Sequence, residues 1–164
     1  MVLIQSGRPI RMRGYYFPLA AGAVLAISAF FPIVMLGDAG FGGVPAISAL
    51  WVLALGVAAM VLATLSLITR KNSRHPLLLV GLIAVGIEFL GWQWLQRSVA
   101  EQAWASAEAS AIVEGGRAVP PPNTTLGWGL YLGFVASCVI VAFGLTIVIR
   151  EASTPYAMSQ DDDV

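Results

Sequence analysis

Residues 77–97 read LLLVGLIAVGIEFLGWQWLQR, an apolar run of 21 residues with one carboxylate, Glu88, near its middle. As a helix rising ~1.5 Å per residue, the run covers ~31 Å, the thickness of a bilayer's hydrocarbon core. It is therefore read as a membrane-crossing helix. Glu88 falls near the midplane, where insertion scales price a charge at ~2.5 to 3.5 kcal/mol. The rest of the chain has to accommodate it.

Working outward, the composition agrees with that reading. The chain is 58% apolar and 11% charged, well under the ~25% Asp, Glu, Lys and Arg of an average soluble domain. Its formal net charge is zero, so nothing marks it for nucleic acid, but the charges are sorted along the chain. Three further apolar runs are expected to cross, at 14–36, 47–69 and 126–149, making an all-α, four-helix antiparallel transmembrane bundle. The run at 14–36 follows Arg8, Arg11 and Arg13 and exceeds a cleavable signal's ~7 to 15 apolar residues, so it reads as a retained anchor. Tyr15 and Tyr16 are placed at its inner interface.

Between the first two spans lies GDAGFGGVPA, 37–46, a tight turn by its glycines and proline. Between the second and third lies RKNSRHP, 70–76, a basic turn whose Pro76 can open a helix. Residues 98–125 form an outer loop. Its first part, SVAEQAWASAEASAIVE, is Ala-rich with Leu95, Val99, Ala103, Ala107 and Ala111 at four-residue spacing, so the third helix is expected to continue several turns beyond the bilayer. Gly115 and Gly116 should stop it, and Pro120, Pro121 and Pro122 extend the backbone before the last span. The end of the chain, 151–164, reads as a disordered acidic tail.

Seven cations, Arg8, Arg11, Arg13, Arg70, Lys71, Arg74 and Arg150, fall on one predicted side and only Arg97 and Arg117 on the other. The positive-inside rule puts both termini in the cytoplasm, as a multi-pass protein of a plasma (inner) membrane. All five tryptophans lie on the opposite side. An aromatic belt accounts for some of them; the sharper reading makes Trp92, Trp94, Trp104 and Trp128 an outer docking surface for other membrane subunits or a lipid.

On a helix, Glu88 has Gly81, Ala84, Val85, Gly91, Trp92 and Leu95 as its near neighbours. The small ones let a partner helix approach, and the last span offers a matching row in Gly129, Gly133 and Ser137, extended by Gly144. Packed antiparallel, the two would set Gly91 by Gly129 or Gly133, Gly81 by Gly144 and Glu88 level with Ser137, with Ser28 of the first span at similar depth. With no Lys, Arg or His there, a protonated Glu88 hydrogen-bonded to Ser137 or Ser28 is the expectation. Two roles remain open for it: structural glue, or a proton or cation site.

Reactive constellations are absent. The single histidine, His75, stands without neighbouring metal ligands, and no nucleophile, base and acid can gather around it. Cys138 lies in an apolar run and reads as a small buried hydrophobe. No catalytic residue, metal or cofactor is expected.

FFP at 30–32, near the end of the first span, and GWGLYLGFVASCVIVAFGL in the last resemble the small four-helix membrane proteins common in actinobacteria and related bacteria. Their marks are a proline near the outer end of the first helix and a G-x-G-x-x-L run in the last. The group's usual Pro-Trp pair is Pro32-Ile33 here. The resemblance implies a four-span fold and brings no activity with it. On these grounds the expected function is that of a non-enzymatic accessory or assembly subunit of a larger membrane complex; the alternative is a small proton-coupled carrier or channel using Glu88.

Overall fold

Pro32 ends the first helix early. A proline ring collides with the carbonyl four residues before it and pushes its predecessor out of the helical region. In the computed structural model of the chain, which describes residues 12–69, 74–116, 120 and 123–152, helix α1 accordingly covers only Tyr16–Ser28, 13 residues, preceded by a 3-10 turn at Met12–Tyr15. Phe30 N–H donates to Ile27 O at 3.1 Å and Phe31 N–H to Ser28 O at 3.0 Å, closing the last turn tightly. The expected first span at 14–36 is thereby corrected: its outer third is not helical.

That outer third instead enters a small sheet, which an all-α reading does not contain. Strands β1, Val34–Leu36, and β2, Ala39–Phe41, pair antiparallel across Gly37 and Asp38, with Gly37 at φ +58° as a two-residue hairpin turn favours. Strand β3, Thr124–Leu126, pairs with the other edge of β1, giving the order β2-β1-β3 and the register Val34↔Leu126, Met35↔Thr125, Leu36↔Thr124. Three residues per strand give almost no period-two signal, and the segment's apolar character makes it read as part of the neighbouring spans.

The chain is mostly helical, with three further helices: α2, Ile47–Thr69; α3, Arg74–Val113; and α4, Trp128–Ala152. Three of the four helices are long and apolar enough to cross a membrane, over Ile47–Thr69, His75–Val113 and Trp128–Thr146; α1 is apolar but shorter. Helix α3 is 40 residues long and runs unbroken from the apolar stretch through the Ala-rich one. It stops where Gly115 takes φ +70°, a left-handed cap that glycine adopts without a Cβ penalty. The expected tail beyond 152, the arginines at 8 and 11, the basic residues 70–73, Arg117 and two of the three loop prolines lie outside the described residues.

Helix α1 packs on α2 and α4, and α3 packs on α4 and α2. Small residues make the contacts. Helix α2 buries Ala49, Val52, Gly56, Ala59, Ala63 and Ser66, alternating three- and four-residue steps that keep one face inward. Gly56 meets Gly22 where the helices cross: a Cβ on Gly56 would lie 2.6 Å from the amide nitrogen of Ala26 and 2.8 Å from Gly22 O. Tyr15 is buried at 1% exposure, its ring edge-on to Phe143 at 5.1 Å, whereas Tyr16 is 61% exposed, so only the second of the pair has an interfacial position. The main core includes Leu25, Ala59, Leu77, Ala84 and Ile140; a smaller one under the sheet joins Ile33, Val34 and Leu130 to Trp92, Leu95 and Leu126.

Candidate functional site

Glu88 lies in the apolar half of α3 and is 3% exposed. Ser137 on α4 donates its hydroxyl to Glu88 Oε2 at 3.0 Å, and its Oγ also lies 3.0 Å from Phe134 O one turn back. Ser28, the last residue of α1, is buried beside them but donates to Leu25 O at 2.7 Å within its own helix. The position that brings the three together is Gly133. A Cβ there would overlap Glu88 Oε1 and come 3.0 Å from Ser28 Oγ. The carboxyl thus rests against bare backbone, and glycine is what lets α3 bring it there.

On the other side of Glu88 is a cavity with about 10 Å³ of room for the centre of a water molecule, bounded by Ser28, Ala29, Ile33, Ala49, Val52 and Leu130 among others. That is about the space of one water. Apart from Glu88 and Ser28 the side chains around it are apolar. No Lys, Arg or His lines it, and among the described residues no group of three or more His, Cys, Asp or Glu could hold a metal.

The small residues read as packing positions have separate partners. Gly81 meets Val141 and Ile140, and Gly144 meets Leu78, so both seat α3 on α4. Ala84 is fully buried between them. Gly91 does not approach α4: a Cβ there would have Ser48 of α2 as its nearest neighbour, at 3.9 Å. Gly129 packs on the carbonyls of Phe31 and Pro32 rather than on α3. The sequence points to α4's glycine row but suggests one partner for all of it; the turn forced by Pro32 takes the outer members, because the backbone after α1 fills the space a longer first helix would have held.

The tryptophans divide likewise. Trp94 is 83% exposed, Trp128 75%, Trp51 60% and Trp104 41%. Trp92 is half-buried against Ile33, Val34 and Leu130, edge-on to Phe89 at 5.8 Å, and its indole N–H has no partner among the described residues. It belongs to the core under the sheet, not to an exposed rim. Cys138, expected to be buried, is exposed on α4, because the small-residue face next to it carries Ser137 inward. Sequence reasoning missed Gly22, Gly56 and Gly127, and also Ser66, which is fully buried with no hydrogen-bond partner among the described residues. The three- and four-residue spacing of small residues in α2 carried the signal for Gly56 and Ser66.

Compared with known proteins, the chain matches no family model, no curated protein and no solved structure.

Proposed function

We infer that the chain is a multi-pass protein of a plasma membrane, an antiparallel four-helix bundle with both termini cytoplasmic, that serves as a non-enzymatic accessory or assembly subunit of a larger membrane complex. One observation carries this reading over the carrier: Glu88, the acidic group of the apolar half of α3, is closed in by Ser137, Gly133 and Ser28 with room for about one water. An ion pathway needs a succession of polar groups leading to such a site. Around Glu88 the packing is Ala29, Ile33, Ala49, Val52 and Leu130. The carboxyl is glue between α3 and α4, of the kind that membrane interiors use to fix helix pairing.

The part that reaches a partner is the outer end of α3. Sixteen residues, 98–113, continue ~24 Å past the apolar stretch, and at their end Ile112 and Val113 are 75% and 86% exposed. Lipid covers exposed apolar groups inside a bilayer but not on a helix that has left it, so a patch there fits a protein surface.

The test is affinity purification of the tagged protein from native membranes in mild detergent, with mass spectrometry of what accompanies it, against Ile112→Ser/Val113→Ser. A stoichiometric polypeptide lost in the variant supports the accessory role. A protein that purifies alone, and whose reconstituted liposomes show a proton flux abolished by Glu88→Gln, overturns it in favour of the carrier.

A further inference from the structure

Helix α2 begins at Ile47, with Ser48 opposite Gly91 of α3. Above that level α3 has no α2 beside it, and Gly91 presents no side chain. The result is an apolar cleft of about 710 Å³ between the two helices, floored by Gly91 and walled by Ile47, Trp51, Ile87, Leu90 and Trp94. At Trp94 it abuts a second cavity of about 540 Å³, lined by Arg97, Ser98, Glu101 and Gln102. One side chain, Trp94, belongs to both.

The depth of the pair fits one leaflet of a bilayer. From Glu88 to Arg97 is nine residues, ~14 Å along the helix, close to half of a ~30 Å hydrocarbon core. With Glu88 near the midplane, the apolar cleft spans acyl-chain depth, Trp94 stands where indoles gather and Arg97 is level with lipid phosphates. Arg97 and Glu101 are one turn apart on the same face of α3. They make no ion pair with each other or with any other described residue, so a cation and an anion are both open to the same polar cavity.

We propose that the α2–α3 cleft and the cavity above it form a binding site for a zwitterionic phospholipid with a primary ammonium head. An acyl chain fills the cleft, Arg97 holds the phosphate and Glu101 the ammonium. A two-carbon bridge separates phosphate from ammonium in such a head, so one helical turn meets both ends. An anionic lipid would satisfy Arg97 but face Glu101 unfavourably. A quaternary head would offer Glu101 no hydrogen-bond donor. The proposal rests on the membrane-spanning reading and is independent of the accessory role.

The experiment is native mass spectrometry of the delipidated full-length protein with equimolar phosphatidylethanolamine, phosphatidylglycerol and phosphatidylcholine of identical chains. The expected result is one retained lipid, phosphatidylethanolamine, favoured about tenfold over either competitor, the scale of one charge-assisted hydrogen bond. Arg97→Gln should lower retention of all three, and Glu101→Gln should erase the preference while leaving binding. Gly91→Leu puts a side chain into the cleft from a position where a Cβ meets only Ser48, at 3.9 Å, and should lower all three together. Equal retention of the three lipids by the wild type, preference for phosphatidylglycerol, or retention unchanged in Gly91→Leu would each overturn the proposal. So would a co-purifying polypeptide lost in Gly91→Leu with lipid retention unaltered, which would make the cleft a seat for a partner helix.

Discussion

The amide of Gly127 donates to the carbonyl of Ile33 at 2.8 Å, and two residues on Gly129 donates to Pro32 O at 3.0 Å. These bonds join the segment that follows the first helix to the one that opens the last. They also explain the glycines: a Cβ on Gly127 would overlap Pro32 O, and one on Gly129 would lie 2.5 Å from Phe31 O. The proline that stops α1 and the Gly-x-Gly at the head of α4 are two halves of one contact. Backbone groups exposed by the end of a helix must find partners, all the more at membrane depth, and here α4 supplies them.

The sheet gives a direct check on that contact. Leu36 and Thr124 are cross-strand partners on β1 and β3, and directly opposed antiparallel residues lie within disulfide reach. In a Cys138→Ser background, Leu36→Cys/Thr124→Cys should form an intramolecular disulfide on mild oxidation, seen as a gel shift. Leu36→Cys/Thr125→Cys, whose side chains point to opposite faces, should form little. Equal yields would refute the register.

Gly133→Ala should destabilise the protein by ~3 kcal/mol, the upper part of the overpacking range, because its methyl meets a buried carboxyl and a buried hydroxyl. Gly86 lies on α3 with nothing within 4 Å of its Cβ position. Gly86→Ala should be neutral or gain up to ~1 kcal/mol of helix propensity. Unfolding in mixed detergent micelles with rising sodium dodecyl sulfate measures both.

Substitutions at the Glu88 site should separate size from charge. Glu88→Gln keeps the volume and an acceptor for Ser137, so its unfolding free energy should stay within ~1 kcal/mol of wild type. Ser137→Ala removes the hydroxyl and should cost ~0.6 to 1.7 kcal/mol. Glu88→Ala opens a cavity between α3 and α4 and should cost ~2 to 4 kcal/mol. A Glu88→Gln penalty as large as that of Glu88→Ala would mean that the ionised group holds the helices.

Cys138 follows Ser137 and is exposed, so in a bilayer it faces lipid at about the depth of Glu88. A membrane-impermeant maleimide should leave it unlabelled in intact and in opened vesicles alike, and label it after denaturation. Rapid labelling in native vesicles would place that part of α4 in water.

Length made the long helices legible. An apolar run of twenty or more residues has few folded alternatives, which is why α2, α3 and α4 could be read from composition. The glycine row of α4 was legible for the same reason that it works, since only small residues permit close approach, and Ser137 stood out as the polar member level with Glu88. What could not be read was the division of that row among partners. Gly129 and Gly133 look alike in sequence, yet one faces a loop carbonyl and the other a carboxyl. Pro32 held the needed information, but hydropathy outvoted it: Val34, Met35 and Leu36 are as apolar as any helix and only their backbone partners, Ala39–Phe41 just after them and Thr124–Leu126 ninety residues later, make them a strand.

Helix α1, at 13 residues, is ~20 Å long and falls short of a ~30 Å hydrocarbon core. The carbonyls of Pro32 and Ile33 and the β3-facing edge of β1 gain their partners only once residues 124–129 have been made. The first segment therefore completes its backbone pairing only when the C-terminal helix is in place.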